Sequence, residues 1–132
     1  MDGGWNIADC AQRSYDVEGM HVGTVAAGRI GLAVLRRMHP FGCKLHYCDR
    51  HRLPAAVEKE LNLTYHASAA DMVKVCDVVT INCPLHPETE SLFNDKLLST
   101  MKRGSYIVNT ARGKEFKVRS ISMAHSTYRQ DL

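Results

Sequence analysis

A glycine-rich run at a fixed distance from an acid constrains this chain more than any other feature. Residues 26–31 read Ala-Ala-Gly-Arg-Ile-Gly, an A-x-G-x-x-G pattern, and seventeen residues separate Gly31 from Asp49. The apolar run Met20–Val25 precedes the glycines and reads as a strand. Ile30–Leu35 follows and reads as a helix. Leu45–Cys48 then reads as a second strand that ends on the acid. Strand, turn, helix, strand and acid in this order form a dinucleotide fingerprint. Gly28 lets the backbone approach a pyrophosphate, whose charge sits on the helix N-terminus. Gly31 lets the helix pack close to the strand, and Asp49 offers acceptors to ribose hydroxyls. A helix start that merely happens to be glycine-rich would explain the triplet, but not the ordered context.

Composition sets broad bounds. The 132 residues are 45% hydrophobic and 23% charged, enough for one core. A net charge of +3 is too mild to argue for nucleic acid or a membrane surface. No apolar stretch approaches the length of a membrane span. The first residues, Met-Asp-Gly-Gly-Trp, lack the charged and apolar regions of a secretion signal. Five cysteines with irregular spacing and no C-x-x-C pair suggest reduced thiols inside a cell.

Along the chain, strand-like and helix-like runs alternate. Trp5 to about Arg13 reads as a helix. Strands are expected near 20–25, 43–48, 63–66, 77–82 and 105–110. Helices are expected near 28–38, from Pro54 to about Leu61, from a Ser68 cap to about Val75, and from an Asn94 cap to about Met101. His39-Pro40-Phe41-Gly42 should stop the first of these four. This alternation predicts an α/β fold of the Rossmann type, a doubly wound parallel sheet of about five strands. Ligands bind such sheets at the carboxyl ends of the strands. That rule points to residues 26–28, 49, 82–86 and 109–112.

The same loops carry a family resemblance. Residues 5–10 (Trp-Asn-Ile-Ala-Asp-Cys), 22–31, 46–54, 58–64, 82–90 (Asn-Cys-Pro-Leu-His-Pro-Glu-Thr-Glu) and 109–114 (Asn-Thr-Ala-Arg-Gly-Lys) resemble NAD-dependent formate dehydrogenases. These belong to the D-specific 2-hydroxyacid dehydrogenase superfamily. The resemblance covers about residues 3–114. The stretches 49–54 and 5–10 are more specific to the formate enzymes than the glycine fingerprint is. It implies NAD as cofactor, formate as substrate, and hydride transfer that yields carbon dioxide. It also implies a homodimer contacting through the cofactor domains, with the Trp5–Arg13 helix at the contact.

Carried over residue by residue, the resemblance assigns Ala26, Gly28, Arg29, Ile30 and Gly31 to the pyrophosphate turn. Asp49 and Arg50 face the adenosine ribose. Asn82, Pro84 and His86 line the adenosine side, and Thr110 and Ala111 lie towards the nicotinamide. Arg112 matches the arginine that anchors the substrate carboxylate. A guanidinium suits this role because it presents a fixed fork of donors to two oxygens. Bland readings stand beside these: Arg112 as a solvated residue after a strand, and His86 as a turn residue before Pro87. An Asp at position 49 also disfavours a 2′-phosphate, so NAD is expected over NADP, with Arg50 partly offsetting the repulsion. Cytoplasmic location is expected, or mitochondrial if the intact protein carries a transit peptide.

From Glu115 the chain leaves the family pattern. Residues 1–114 are expected to form the cofactor domain, as a fragment of a longer enzyme, and 115–132 a disordered non-family tail. The family's other active-site residues lie outside this chain, so the fragment alone is expected to be inactive. Cys43-x-x-His46-x-Cys48-x-x-His51 contains metal-competent side chains. On a strand, Cys43 faces away from His46 and Cys48, so no metal site is assigned. Two other functions fit the same fold: another NAD-dependent D-2-hydroxyacid dehydrogenase, and a non-catalytic nucleotide-binding or dimerisation module.

Overall fold

Runs rich in β-branched and apolar residues pair edge to edge in this chain, and the helices between them cover both faces of the resulting sheet. The computed structural model describes Ala8, Ala11, Gln12, Ser14, residues 16–84, residues 92–111 and the backbone of 116–117. Ala8, Ala11 and Gln12 are helical, and the rest of the expected Trp5–Arg13 helix lies outside the described residues. Strands β1 (His21–Val25), β2 (Lys44–Cys48), β3 (Thr64–His66), β4 (Val78–Ile81) and β6 (Tyr106–Asn109) form one sheet in the order β3-β2-β1-β4-β6. Every neighbouring pair in it is parallel. The expected five-strand doubly wound sheet is therefore present. A two-stranded ribbon of β5 (Phe93–Asn94) and β7 (Phe116–Lys117) stands apart from it and was not expected from the sequence. Apart from that backbone pairing, the tail from Glu115 lies outside the described residues.

Helix α1 (Arg29–Met38) shows why this sequence packs as it does. Gly31, Leu35 and Met38 recur at helical spacing, and Gly31 and Leu35 are buried. They meet Val22, Leu45, Tyr47 and Leu61 on one face of the sheet. The opposite face is covered by α3 (Ala69–Val73) and α4 (Asp95–Leu98). There Met72, Val73, Cys76, Phe93 and Leu97 pack on Val25, Val79 and Ile81. Helix α3 comes so close to β1 that a Cβ on Gly23 would lie 2.9 Å from Met72 Sδ, and 2.6 Å from Sγ of Cys76 just beyond the helix.

Helix ends follow side-chain chemistry. Ser68 Oγ accepts from Asp71 N, and Asn94 Oδ1 accepts from Leu97 N, so both expected caps form. Pro54 sits at the N-cap of α2 (Ala55–Glu60), one step before the expected first turn, and its carbonyl accepts from Val57 N and Glu58 N. Helix α4 is shorter than expected. The hydroxyls of Ser99 and Thr100 donate back to the carbonyls of Lys96 and Leu97 and replace a further turn. A 3₁₀ turn over His39–Phe41 with Gly42 behind it ends α1, as the sequence indicated.

Candidate dinucleotide-binding site

The strand order runs outward from β1 in both directions, β2 then β3 on one side and β4 then β6 on the other. The crevice of such a sheet opens beyond the carboxyl ends of the strands where the order reverses, here β1 and β4. The glycine turn leaves β1 at this point. Gly28 caps α1 with φ −68° and ψ −162°, and no side chain caps the helix in its place. A Cβ built on Gly28 meets nothing within 4 Å, so the turn is open on that side. A Cβ on Gly31 would lie 2.0 Å from the Ala26 carbonyl oxygen. The helix can start here only because position 31 has no side chain. The residues therefore fit a dinucleotide: an open approach at Gly28, a helix N-terminus with unmade N–H bonds and no acid in its first turn. Arg29 and Ile30 are exposed in that first turn.

The turn is fastened rather than free. Ala26 N donates to Cys48 O at 2.8 Å, and Ala27 N donates to Asp49 Oδ2 at 2.7 Å. Thr24 Oγ1 donates to Ala26 O at 2.8 Å. Ala26 holds φ +69°, a left-handed backbone that an L side chain rarely adopts. Asp49 also accepts from His51 N at 3.1 Å through Oδ1. Each of its oxygens keeps a second lone pair, so the half-exposed carboxylate can still accept from a hydroxyl.

Asn82 ties the neighbouring strand ends together. Its Nδ2 donates to Thr24 Oγ1 at 2.9 Å and to Thr80 Oγ1 at 3.3 Å, and its backbone N donates to Val25 O. Thr110 Oγ1 donates to Asn82 Oδ1 at 3.5 Å. Pro84 and Arg50 are exposed beside it and beside Asp49 respectively, and Ala111 N donates to Asn109 Oδ1. The carboxyl ends of β2, β1, β4 and β6 thus bring together the sequence-expected residues from 26 to 31, 49, 82, 110 and 111. His86 and Arg112 lie outside the described residues.

Sequence reasoning missed one cluster. The buried Tyr47 hydroxyl accepts from Leu53 N at 2.9 Å and donates to Glu58 Oε1. Arg52 grips the same carboxylate with two donors, Nε to Oε1 at 2.8 Å and Nη2 to Oε2 at 3.0 Å. The Arg52 guanidinium, then Tyr47, hold the Glu58 carboxyl below its ordinary range. Burial, then the bond to Glu58, pushes the Tyr47 phenol up to about 12. Glu58 stands nine positions after Asp49 with no motif linking them; only the turn of α2 over β2 joins them.

Comparison with known proteins gives the following. The family model described as D-isomer specific 2-hydroxyacid dehydrogenase, NAD binding domain, matches residues 1–125. A formate dehydrogenase of Pseudomonas sp. is 73% identical over 112 residues, 85% of this chain and 28% of its own length. A formate dehydrogenase of Neurospora crassa is 52% identical over 114 residues, 86% of this chain and 30% of its own length. A solved formate dehydrogenase from Granulicella superposes with a TM-score of 0.83 at 66% identity, over 88% of this chain and 31% of that one. A Staphylococcus aureus NAD-dependent formate dehydrogenase solved with NAD superposes at 0.72 and 34% identity, over 89% of this chain and 34% of that one. The chain spans under a third of the length of these two curated relatives.

Proposed function

The chain belongs to the D-isomer specific 2-hydroxyacid dehydrogenase family, and from that premise we propose that it is the NAD-binding part of a formate dehydrogenase. The observation that carries the reading is the fastened turn: Asp49 holds Ala27 N while Gly28 stays open at the α1 N-terminus. Gly28 and the first turn of α1 take the pyrophosphate, flanked by Arg29 and Ile30. Asp49 accepts from the adenosine ribose, with Arg50 beside it. A 2′-phosphate would bring a second negative charge against Asp49. Like charges about 4 Å apart cost about 4 kcal/mol at an effective dielectric near 20, which favours NAD over NADP. Asn82 holds the Thr24–Ala26 segment in place, Pro84 and His86 flank the adenosine, and Thr110 and Ala111 lead towards the nicotinamide.

NAD, when bound, supplies the hydride acceptor. Formate offers one carboxylate and one C–H, so this chain's contribution is orientation and charge. Arg112 follows β6 and, by its match to the family, holds both formate oxygens. Residues 1–114 form the cofactor domain, 115–132 a tail outside it, and the intact enzyme is a cytoplasmic or mitochondrial homodimer. Among the described residues no helix is long and apolar enough to cross a membrane.

The test sets this segment into the frame of the Pseudomonas relative, replacing the residues it matches. Formate-dependent NADH formation is expected from the graft and not from the 132-residue chain alone. Arg112→Ala in the graft should raise the formate KM about a hundredfold or more, the scale of one lost charged partner. Turnover by the isolated chain, or an unchanged formate KM in the variant, would refute this division of labour.

A further inference from the structure

The loop between β2 and α2 has no regular structure, yet each end of it is tied to a side chain. At its start, Tyr65 Oη donates to Asp49 O at 3.4 Å. At its end, Leu53 N donates to Tyr47 Oη. The two tyrosine rings lie 5.2 Å apart, and the Arg52 guanidinium sits 5.3 Å from the Tyr65 ring centre. These ties converge on Glu58, whose side chain is 12% exposed. It accepts Tyr47 through one oxygen and the Arg52 fork through both. A bidentate guanidinium fixes direction as well as distance. The same arch carries Asp49, the group that fastens the glycine turn.

We propose that Glu58 is a positioning residue for NAD: through Tyr47 and Arg52 it holds residues 49–53 in the arch that aims Asp49 at the adenosine ribose. The inference rests on the NAD-binding reading above. Removing Glu58 leaves the Tyr47 hydroxyl without its acceptor and frees Arg52 to compete for Asp49. The arch then samples other shapes, and the bound cofactor loses both affinity and its discrimination against a 2′-phosphate. The chemistry at the nicotinamide, at the other end of the cofactor, is untouched.

The experiment uses the full-length graft with wild-type segment, Glu58→Gln, Glu58→Ala and Tyr47→Phe. NAD binding is titrated by calorimetry, and kinetics are run with NAD and NADP. Glu58→Gln keeps the volume and an acceptor for Tyr47, so it folds even if the alanine variant does not. The Kd for NAD is expected to rise about threefold in Glu58→Gln and about tenfold in Glu58→Ala and Tyr47→Phe, with kcat at saturating NAD within about twofold. The NAD/NADP ratio of kcat/KM should fall in step with Kd. Lowered melting temperature with unchanged Kd and unchanged ratio would make Glu58 a structural residue and overturn the proposal. If the wild-type graft binds NAD but does not oxidise formate, the functional reading fails while the calorimetry still decides on Glu58. If it does not bind NAD, both fall.

Discussion

At the carboxyl ends of β1, β2 and β4, buried and half-buried polar side chains hold in place backbone that a ligand would touch. On the α3 face of the same sheet, the imidazole rings of His21, His46 and His66 bond to one another. Thr24, Asn82 and Asp49 pin the Ala26–Ala27 turn. The imidazoles instead form a ladder across three strands: His21 Nδ1 lies 2.8 Å from His46 Nε2, and His46 Nδ1 lies 3.0 Å from His66 Nε2. A neutral His46 donates through one ring nitrogen and accepts through the other, so this buried imidazole is satisfied at both. Asp77 stands at one end, accepting His21 N and paired with Lys102, while Asp71 lies near His66 at the other. The first region converts polar burial into a shaped site. The second buries an imidazole whose charged form burial disfavours, which makes it sensitive to acid.

The sharpest break of this comparison uses the two fingerprint glycines. Gly31→Ala forces a Cβ to within 2.0 Å of the Ala26 carbonyl, which is backbone and held by Thr24. It should destabilise by about 3 kcal/mol or more, if the chain folds at all. Gly28→Ala meets nothing within 4 Å and has ordinary φ. Its melting temperature should stay close to wild type while NAD affinity falls, because the new methyl occupies the approach. Urea unfolding and NAD titration of the two variants measure the split. Equal stability losses would mean that the turn is not built around position 31.

Acid tests the other region. Burial, followed by the neighbouring His21 and His66 rings and Lys102, lowers His46 from 6.5 to about 4. Burial also lowers His66. Between those values the unfolded chain binds a proton that the folded chain refuses, so stability falls as pH falls through that window. The loss from His46 alone is about 3 kcal/mol by pH 4. Asp71 and Asp77 are lowered carboxyls, so what they contribute is present above their unfolded values and is lost below that window. His46→Leu should flatten the slope between about pH 6.5 and 4 and leave the steeper loss at lower pH. Chemical denaturation at several pH values reads both segments, and an unchanged upper slope would clear the ladder of any role.

Much of this arrangement was legible because it is local. Apolar runs gave the five parallel strands, and the spacing of Gly28, Gly31 and Asp49 placed the turn and its acid. Ser68 and Asn94 announced their caps. The ladder and the Tyr47–Glu58–Arg52 cluster were not legible, because both depend on which strand lies beside which. His46 falls beside Gly23 of β1 and Thr64 of β3, and that register leaves no trace in the spacing of the histidines. The ribbon of β5 and β7 is two residues long on each side, too short for any period. Asn82 was expected as a cofactor contact, and its amide is engaged by Thr24, Thr80 and Thr110, a partnership among strand ends that one strand cannot reveal.

The smallest expected effect concerns Ala26, where the fingerprint turn carries strain. Its φ of +69° costs an alanine about 1–2 kcal/mol relative to right-handed backbone, and glycine pays no such cost. Against this, glycine adds about 0.5–1 kcal/mol of disorder to the unfolded chain. Ala26→Gly should therefore stabilise the domain by roughly 0.5–1 kcal/mol, as the difference of those terms. NAD affinity should change little, since Thr24 Oγ1 and Cys48 O grip the backbone at position 26 and not its methyl group. A destabilised Ala26→Gly variant would mean that the methyl group packs against Ile81 or its neighbours strongly enough to offset the strain. The turn would then be held by packing, and the hydrogen bonds that set it apart from the histidine ladder would matter less than the geometry implies. A stabilised variant with weakened NAD binding would have a different meaning: the strained backbone itself shapes the pyrophosphate turn, and relaxing it trades fit for stability.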